Sequence, residues 1–267
     1  MKLGISTYTY SWAIGIPGLE PVKPLDFFGL IDKAKALNVG LIQVADNLPL
    51  HSMSEPTMNL FIRRANELKI QLESGARGMT EEHLDRYIKL AHKIRSPILR
   101  FIIDGENFIP GREDIIAIIN NALKDLENKK IILAIENYER LSVKDLAWII
   151  DKIGSDWVGI CLDTVNSLGA GEGIEKAVMI LGPITVNLHI KEFKIRRLDH
   201  KLGFLVEGAP AGDGMLNIPW LLQQLSSHCR SAILEQWTPW ANDIQSTIKK
   251  ENEWAERSIE YLRNFFD

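Results

Sequence analysis

The segment Ile184–Phe193, ITVNLHIKEF, runs apolar for most of its length and then sets His189, Lys191 and Glu192 close together. A lone histidine on such a run is ordinarily a core imidazole with a backbone partner. The neighbouring runs change that reading. Residues 131–136 (IILAIE), 158–163 (VGICLD) and 232–237 (AILEQW) have the same form, a short β-branched stretch with one ionisable group near its C-terminal end: Glu136, Asp163 and Glu235. Continuous apolar runs without in/out alternation fit strands of a parallel sheet covered on both faces.

Four further runs precede these, at 3–7 (LGIST), 40–45 (GLIQVA), 70–74 (IQLES) and 98–103 (ILRFII). Stretches of helical period lie between them. In 113–127, Ile115, Ile118, Ile119, Ala122 and Leu126 share one face. Ser142 with Asp145 forms a capping box, and Thr80 before Glu81 and Glu82 marks another helix start. Asn242 or Asp243 caps a last helix with the stripe Ile244, Ile248, Ala255, Ile259, Leu262 and Phe266. Eight strands, each followed by a helix, predict an α/β fold, a single (β/α)8 TIM barrel over residues 1–267, with a doubly wound open sheet as the alternative. No linker or low-complexity tract divides the chain. Two connections, 11–24 and 191–216, exceed what helix spacing needs, and long loops on a barrel tend to serve a site.

Hydrophobic residues make up 46% of the 267 and charged residues 25%, enough for a sizeable core. A net charge of -4 leaves no basic surplus for a phosphate backbone, which argues against nucleic-acid binding. The first residues lack the apolar core of a signal peptide, and no run approaches the roughly 18 residues a membrane span needs. The expectation is a soluble, cytoplasmic protein without a membrane partner. Cys161 and Cys229 are the only cysteines, too few for a disulfide framework or a Cys-based zinc site.

In a closed barrel the four strand ends converge on one mouth, where the active sites of this fold lie. Three buried carboxylates raise one another's pKa there unless a compensating charge is present. A divalent cation held by Glu136, Asp163, His189 and Glu235 would supply it. Three oxygen ligands and one imidazole suit Mn2+, Mg2+ or Co2+ ahead of a tetrahedral zinc.

The set AIEN, CLDTVNS, NLHIKE and ILEQW, with GAPAGDG after the seventh strand, resembles the xylose isomerase-like barrel superfamily, in particular its sugar phosphate isomerase/epimerase and ketose 3-epimerase branch. The resemblance implies one divalent metal, Mn2+ favoured over Mg2+, Co2+ or Zn2+, on Glu136, Asp163, His189 and Glu235. It makes Glu136 and Glu235 the catalytic acid/base pair, moving a proton through a metal-stabilised enediolate of a ketose, keto-sugar or sugar phosphate. A small-molecule carbohydrate partner and a homodimer or homotetramer are implied with it. Two departures stand out. Asn166 takes the place where such epimerases often carry a histidine, and the arginine usual after the seventh strand matches Arg196 or Arg197 only with a shift.

Around this set, Arg100 sits within an apolar strand and needs a carboxylate, Glu73 or Glu136. Lys191 either contacts a substrate oxygen, pairs with Glu192 or is a solvated rim lysine, and Glu192 itself is expected to face water. Asn137 and Asn166 can donate to ligand carboxylates or sugar hydroxyls. Trp12 and Trp237, with Trp240 and Tyr8 or Tyr10, are expected to form a wall for the C–H face of a sugar. The glycine-rich stretches 169–173 and 208–214 read as turns, and the basic cluster Lys191, Lys194, Arg196, Arg197 and Lys201 as a solvated loop. The rival functions are a keto-sugar or inosose dehydratase/lyase on the same metal site and a non-catalytic carbohydrate-binding barrel. An apurinic endonuclease is disfavoured, because only His189 of six histidines ends a strand.

Overall fold

Each of the eight β-branched runs becomes a strand, because both faces of every run are buried and only the parallel ladder satisfies their backbone groups. In the computed structural model, which describes residues 1–266, these are β1 (Lys2–Ser6), β2 (Leu41–Val44), β3 (Gln71–Arg77), β4 (Ile98–Ile102), β5 (Ile132–Glu136), β6 (Val158–Asp163) and β7 (Thr185–Lys191). A hairpin, β8 (Phe193–Arg197) and β9 (Phe204–Gly208), precedes the last barrel strand, β10 (Ser231–Glu235). The parallel order β1-β10-β7-β6-β5-β4-β3-β2 closes through pairing of β1 with β2, so the fold is a (β/α)8 barrel and the open sheet is excluded. The outer helices are α1 (Ser11–Ile14), α2 (Phe27–Ala36), α3 (Glu55–Glu67), α4 (Glu81–Lys93), α5 (Arg112–Lys129), α6 (Val143–Ile153), α7 (Ile174–Leu181), α8 (Ile218–Gln224) and α9 (Ile244–Leu262). Thr80, Ser142 and Asp243 accept the cap hydrogen bonds of α4, α6 and α9. Among the described residues no helix is long and apolar enough to cross a membrane.

One irregularity positions the mouth. Between β6 and β7 the register slips: Ile160 pairs with Thr185, but Cys161 pairs with Asn187, leaving Val186 as an extra residue. The space for its side chain exists because Gly159 has no Cβ, which would lie 2.6 Å from Val186 Cγ1. Side chains alternate with a period of two, so this one-residue insertion brings His189 level with Asp163.

The 191–216 connection differs from the open loop that sequence suggested. Its first half is the antiparallel β8–β9 hairpin, unrecognised because Ile195, Phe204 and Val206 stay exposed and give the strands no buried face to reveal them. Its second half folds onto Glu192. This residue does not face water: it is buried, and its carboxylate accepts the backbone N–H groups of Phe193 (3.0 Å), Gly212 (3.2 Å) and Leu216 (2.9 Å). Gly214 passes so close that a Cβ there would lie 2.2 Å from Glu192 Oε1. Replacing Glu192 with alanine strands three N–H groups, two of them on the loop, and should cost about 2–4 kcal/mol in urea unfolding. Faster proteolysis at 209–216 should accompany it; unchanged stability would mean that water substitutes for the carboxylate.

Candidate active site

The C-terminal ends of β5, β6, β7 and β10 bring Glu136, Asp163, His189 and Glu235 together, all buried. His189 Nδ1 lies 3.3 Å from Glu235 Oε1 and 3.5 Å from Glu136 Oε2. Two side-chain cations enter the same cluster. Lys191 Nζ stands 2.7 Å from Asp163 Oδ2 and 3.1 Å from Glu235 Oε2, so it pairs with these acids and not with Glu192. The Arg100 guanidinium pairs through Nε with Glu136 and through Nη1 with Asp46 Oδ1 at 2.6 Å, leaving Glu73 to other partners. The compensation that sequence reasoning assigned to a divalent ion is therefore supplied in part by Lys191 and Arg100.

The remaining lone pairs are held by the surrounding chain. Asp163 Oδ1 accepts the backbone N–H groups of Val165 (2.8 Å) and Asn166 (2.9 Å), which aims Oδ2 at Lys191. Asn137 clamps the backbone of Asp163, accepting its N–H at 2.7 Å and donating to its carbonyl at 2.9 Å. The amide of Asn166 donates to Glu136 Oε1 at 2.8 Å, so it is committed to a carboxylate and not to a sugar hydroxyl. Ser6 donates to Glu235 Oε1 at 3.0 Å. Burial pushes the Glu136 carboxyl up against the opposing pull of Arg100 and His189. Burial acts on Glu235 as well, but there the charges of His189, Lys191 and Arg100 outweigh it and hold the carboxyl below its ordinary range. The two glutamates are driven apart.

Beneath them, a chain of amides orients the imidazole. Gln43 donates both N–H groups, to Glu73 Oε2 and Asn187 Oδ1, each at 3.1 Å. Its carbonyl oxygen is left to face His189 Nε2 at 2.7 Å. Nε2 is then the donor, and Nδ1 points at the carboxylates without a hydrogen-bond partner. Asp163 Oδ2, also buried, faces the Lys191 ammonium at 2.7 Å. Ligand atoms of Asp163, His189 and Glu235 lie within 4.8 Å of one another, and those of Glu136, Cys161 and His189 form an overlapping group. A buried imidazole nitrogen without a hydrogen-bond partner, within ligand spacing of the Asp163 and Glu235 carboxylates, fits a divalent metal. Glu136 is less free than the other three, since Arg100 and Asn166 occupy both its oxygens.

Other expected contacts fall into place unevenly. Trp237 lies at the mouth, its ring centroid 5.3 Å from Lys191 Nζ and its surface 42% exposed. Trp12 packs on Trp240 at 5.3 Å and donates its indole N–H to the Thr238 carbonyl at 2.7 Å, a contact apart from the acids. Arg196 stays outside the cluster, half-exposed on β8 and paired with Glu207 at 3.5 Å. Sequence reasoning passed over Gln43 and Asp46, and it placed Tyr8 in an aromatic wall, whereas the Tyr8 hydroxyl donates to Asp46 Oδ2 at 3.0 Å. The signal for Gln43 was a lone amide inside GLIQVA.

Glu73 is fully buried, and this burial outweighs the pull of its hydrogen bonds and of Lys2, raising its pKa from 4.5 to about 7. A carboxyl whose folded pKa is raised contributes stability that is full below pH 4.5 and is lost as pH rises through about 7. Relative to Glu73→Gln, the wild type should lose up to about 3 kcal/mol of stability across that window. Parallel pH profiles for the two proteins in urea melts would refute this.

Comparison with known proteins agrees with this fold. The 3-oxo-isoapionate decarboxylase of Pectobacterium atrosepticum is 29% identical over 266 residues, 98% of this chain and 95% of that protein. The D-psicose 3-epimerase of Clostridium cellulolyticum H10, solved with D-tagatose, superposes over 100% of both chains with a TM-score of 0.73 and 16% identity. A magnesium complex of a xylose isomerase-like TIM barrel protein from Mycobacterium smegmatis superposes over 98% of this chain and 97% of that one, with a TM-score of 0.69 and 14% identity. The family model described as xylose isomerase-like TIM barrel matches residues 73–265, and the chain belongs to that family.

Proposed function

We propose that this protein is an isomerase or epimerase of a small keto-sugar, working through an enediolate. The observation that carries the reading is the convergence of the two glutamates on His189 Nδ1, Glu235 at 3.3 Å and Glu136 at 3.5 Å, with burial raising the Glu136 carboxyl while neighbouring charges lower that of Glu235. Two carboxyl groups of unlike proton affinity on either side of a substrate carbon are what proton removal and return beside a carbonyl require. Glu235 takes the proton, and Glu136 returns one to the neighbouring atom or the opposite face. The two residues reach the site from β10 and β5, with β7 and β6 between them, and so approach from separate sides. Lys191 and Arg100 place positive charge where the enediolate oxygens become anionic, in a site buried from water. Asp163, His189 and Glu235, with Glu136, would hold a divalent metal, which supplies Lewis-acid polarisation of the carbonyl. The Mycobacterium smegmatis relative with magnesium supports that choice.

A second reading is decarboxylation of a keto-sugar acid, a lyase reaction, favoured by the 29% identity to a decarboxylase along nearly the whole chain. Here the C–C bond breaks, CO2 leaves, its bonding electrons form the enediolate, and Glu136 supplies the proton that replaces the carboxylate. That reaction needs an acid and no base.

The two readings separate by mutation. With Mn2+ or Mg2+ present, a panel of ketoses, their phosphates and keto-sugar acids in D2O should show deuterium entering a carbon beside the carbonyl. Glu235→Gln and Glu136→Gln should each then lower kcat at least 100-fold. CO2 release that survives Glu235→Gln but not Glu136→Gln would select the decarboxylase. Full turnover in both variants would overturn both assignments.

A further inference from the structure

β3 turns Glu73, Gly75 and Arg77 toward the barrel axis in alternation, Glu73 bonding Gln43 and Gly75 leaving the room across which the Arg100 side chain runs. Arg77, the last residue of the strand, therefore belongs to the uppermost inward layer, at the mouth. Three cations near the acids, Arg100, Lys191 and Arg140, already have carboxylate partners. Arg100 holds Glu136 and Asp46, Lys191 holds Asp163 and Glu235, and Arg140 grips Asp104 with two hydrogen bonds of 2.8 and 2.6 Å. Arg77 makes no such pair. Its guanidinium is nevertheless held in place, with Nε donating to the Asp104 carbonyl (3.3 Å), Nη1 donating to the Tyr138 hydroxyl (3.4 Å), and the guanidinium carbon 4.6 Å from the Tyr138 ring centroid. These contacts use two of the five N–H donors of an arginine and fix its plane. The same Asp104 and Tyr138 line a small hollow together with Glu136, so the residues that hold Arg77 also border the proposed acid.

An exposed guanidinium, oriented at the mouth by these contacts, with free donors and no protein carboxylate, can receive a planar or tetrahedral oxyanion. We propose that Arg77 anchors the anionic group of the substrate, so that the site takes a sugar acid or a sugar phosphate in preference to a neutral ketose. This rests on the keto-sugar reading above and narrows its substrate class. Arg77 is a binding residue that sets specificity and takes no part in proton transfer.

The test is calorimetric titration of the metal-loaded protein with D-fructose, D-fructose 6-phosphate and 2-ketogluconate at constant ionic strength, beside 15N spectra of the Arg77 Nε–H. At least one of the two anions should bind 10-fold or more tightly than fructose and move that resonance. The phosphate and carboxylate arms say which anion the site prefers. Arg77→Met should erase the advantage while leaving fructose affinity unchanged, and Arg77→Lys should restore part of it. Equal binding of neutral and anionic ligands, no binding of either anion, or an equal loss for all three in Arg77→Met overturns the proposal; circular dichroism of the variants confirms that each is folded. Binding is read without turnover, so the two readings fail separately. Anion capture by Arg77 without any conversion would fail the keto-sugar reading alone, and conversion of neutral ketoses indifferent to Arg77→Met would fail this one alone.

Discussion

Three carboxylates, Glu136, Asp163 and Glu235, end three strands inside one dry mouth, and the rest of the upper barrel is arranged around keeping them charged or protonated in place. Coulomb repulsion in a poorly solvated interior would push their pKa values up and protonate them if left alone. Arg100 and Lys191 answer it from β4 and β7, and each spans two acids where a single ion pair would serve only one. The consequence for chemistry is an asymmetry. Lys191 touches Glu235 and Arg100 touches Glu136, yet burial prevails at Glu136 and the cations prevail at Glu235. Two residues of the same type acquire different proton affinities from their surroundings alone.

Below this charged layer the barrel interior is polar without being charged in pairs. Gln43, Glu73, Asn187 and Ser231 exchange amide and hydroxyl hydrogen bonds, and their net product is the orientation of one imidazole nitrogen. A buried network of this kind is costly when partly satisfied and rigid when complete. Here rigidity has an evident use, since His189 Nδ1 must face the carboxylates and not rotate toward the wall.

The architecture was legible because a parallel barrel writes itself into sequence twice, as apolar runs and as helical periods between them. All eight runs are strands, and the caps at Thr80, Ser142 and Asp243 are where the residue types placed them. The four ionisable strand ends were legible for the same reason: each interrupts an apolar run. Asp46 was not, because it follows its strand in a turn where polar residues are ordinary, and Tyr8 showed as an aromatic ring but not as a donor to Asp46. The role of Glu192 was hidden more deeply. Its partners are backbone N–H groups 20 to 24 residues away at Gly212 and Leu216, and backbone donors leave no trace in residue types. The β8–β9 hairpin escaped because its register depends on pairing with itself in solvent and not on a buried face.

The slip between β6 and β7 has an implication for how such a site can change over time. Single substitutions around the mouth alter one group each, and a lineage can try them one at a time. A residue gained or lost within β7 ahead of His189 would instead turn His189 and Lys191 away from the axis together and present Leu188 and Ile190 in their place. The spacing of this segment is thus inherited as an indivisible unit, more tightly constrained than the identity of many residues in it, and descendants with new chemistry are expected to differ in side chains while keeping its length.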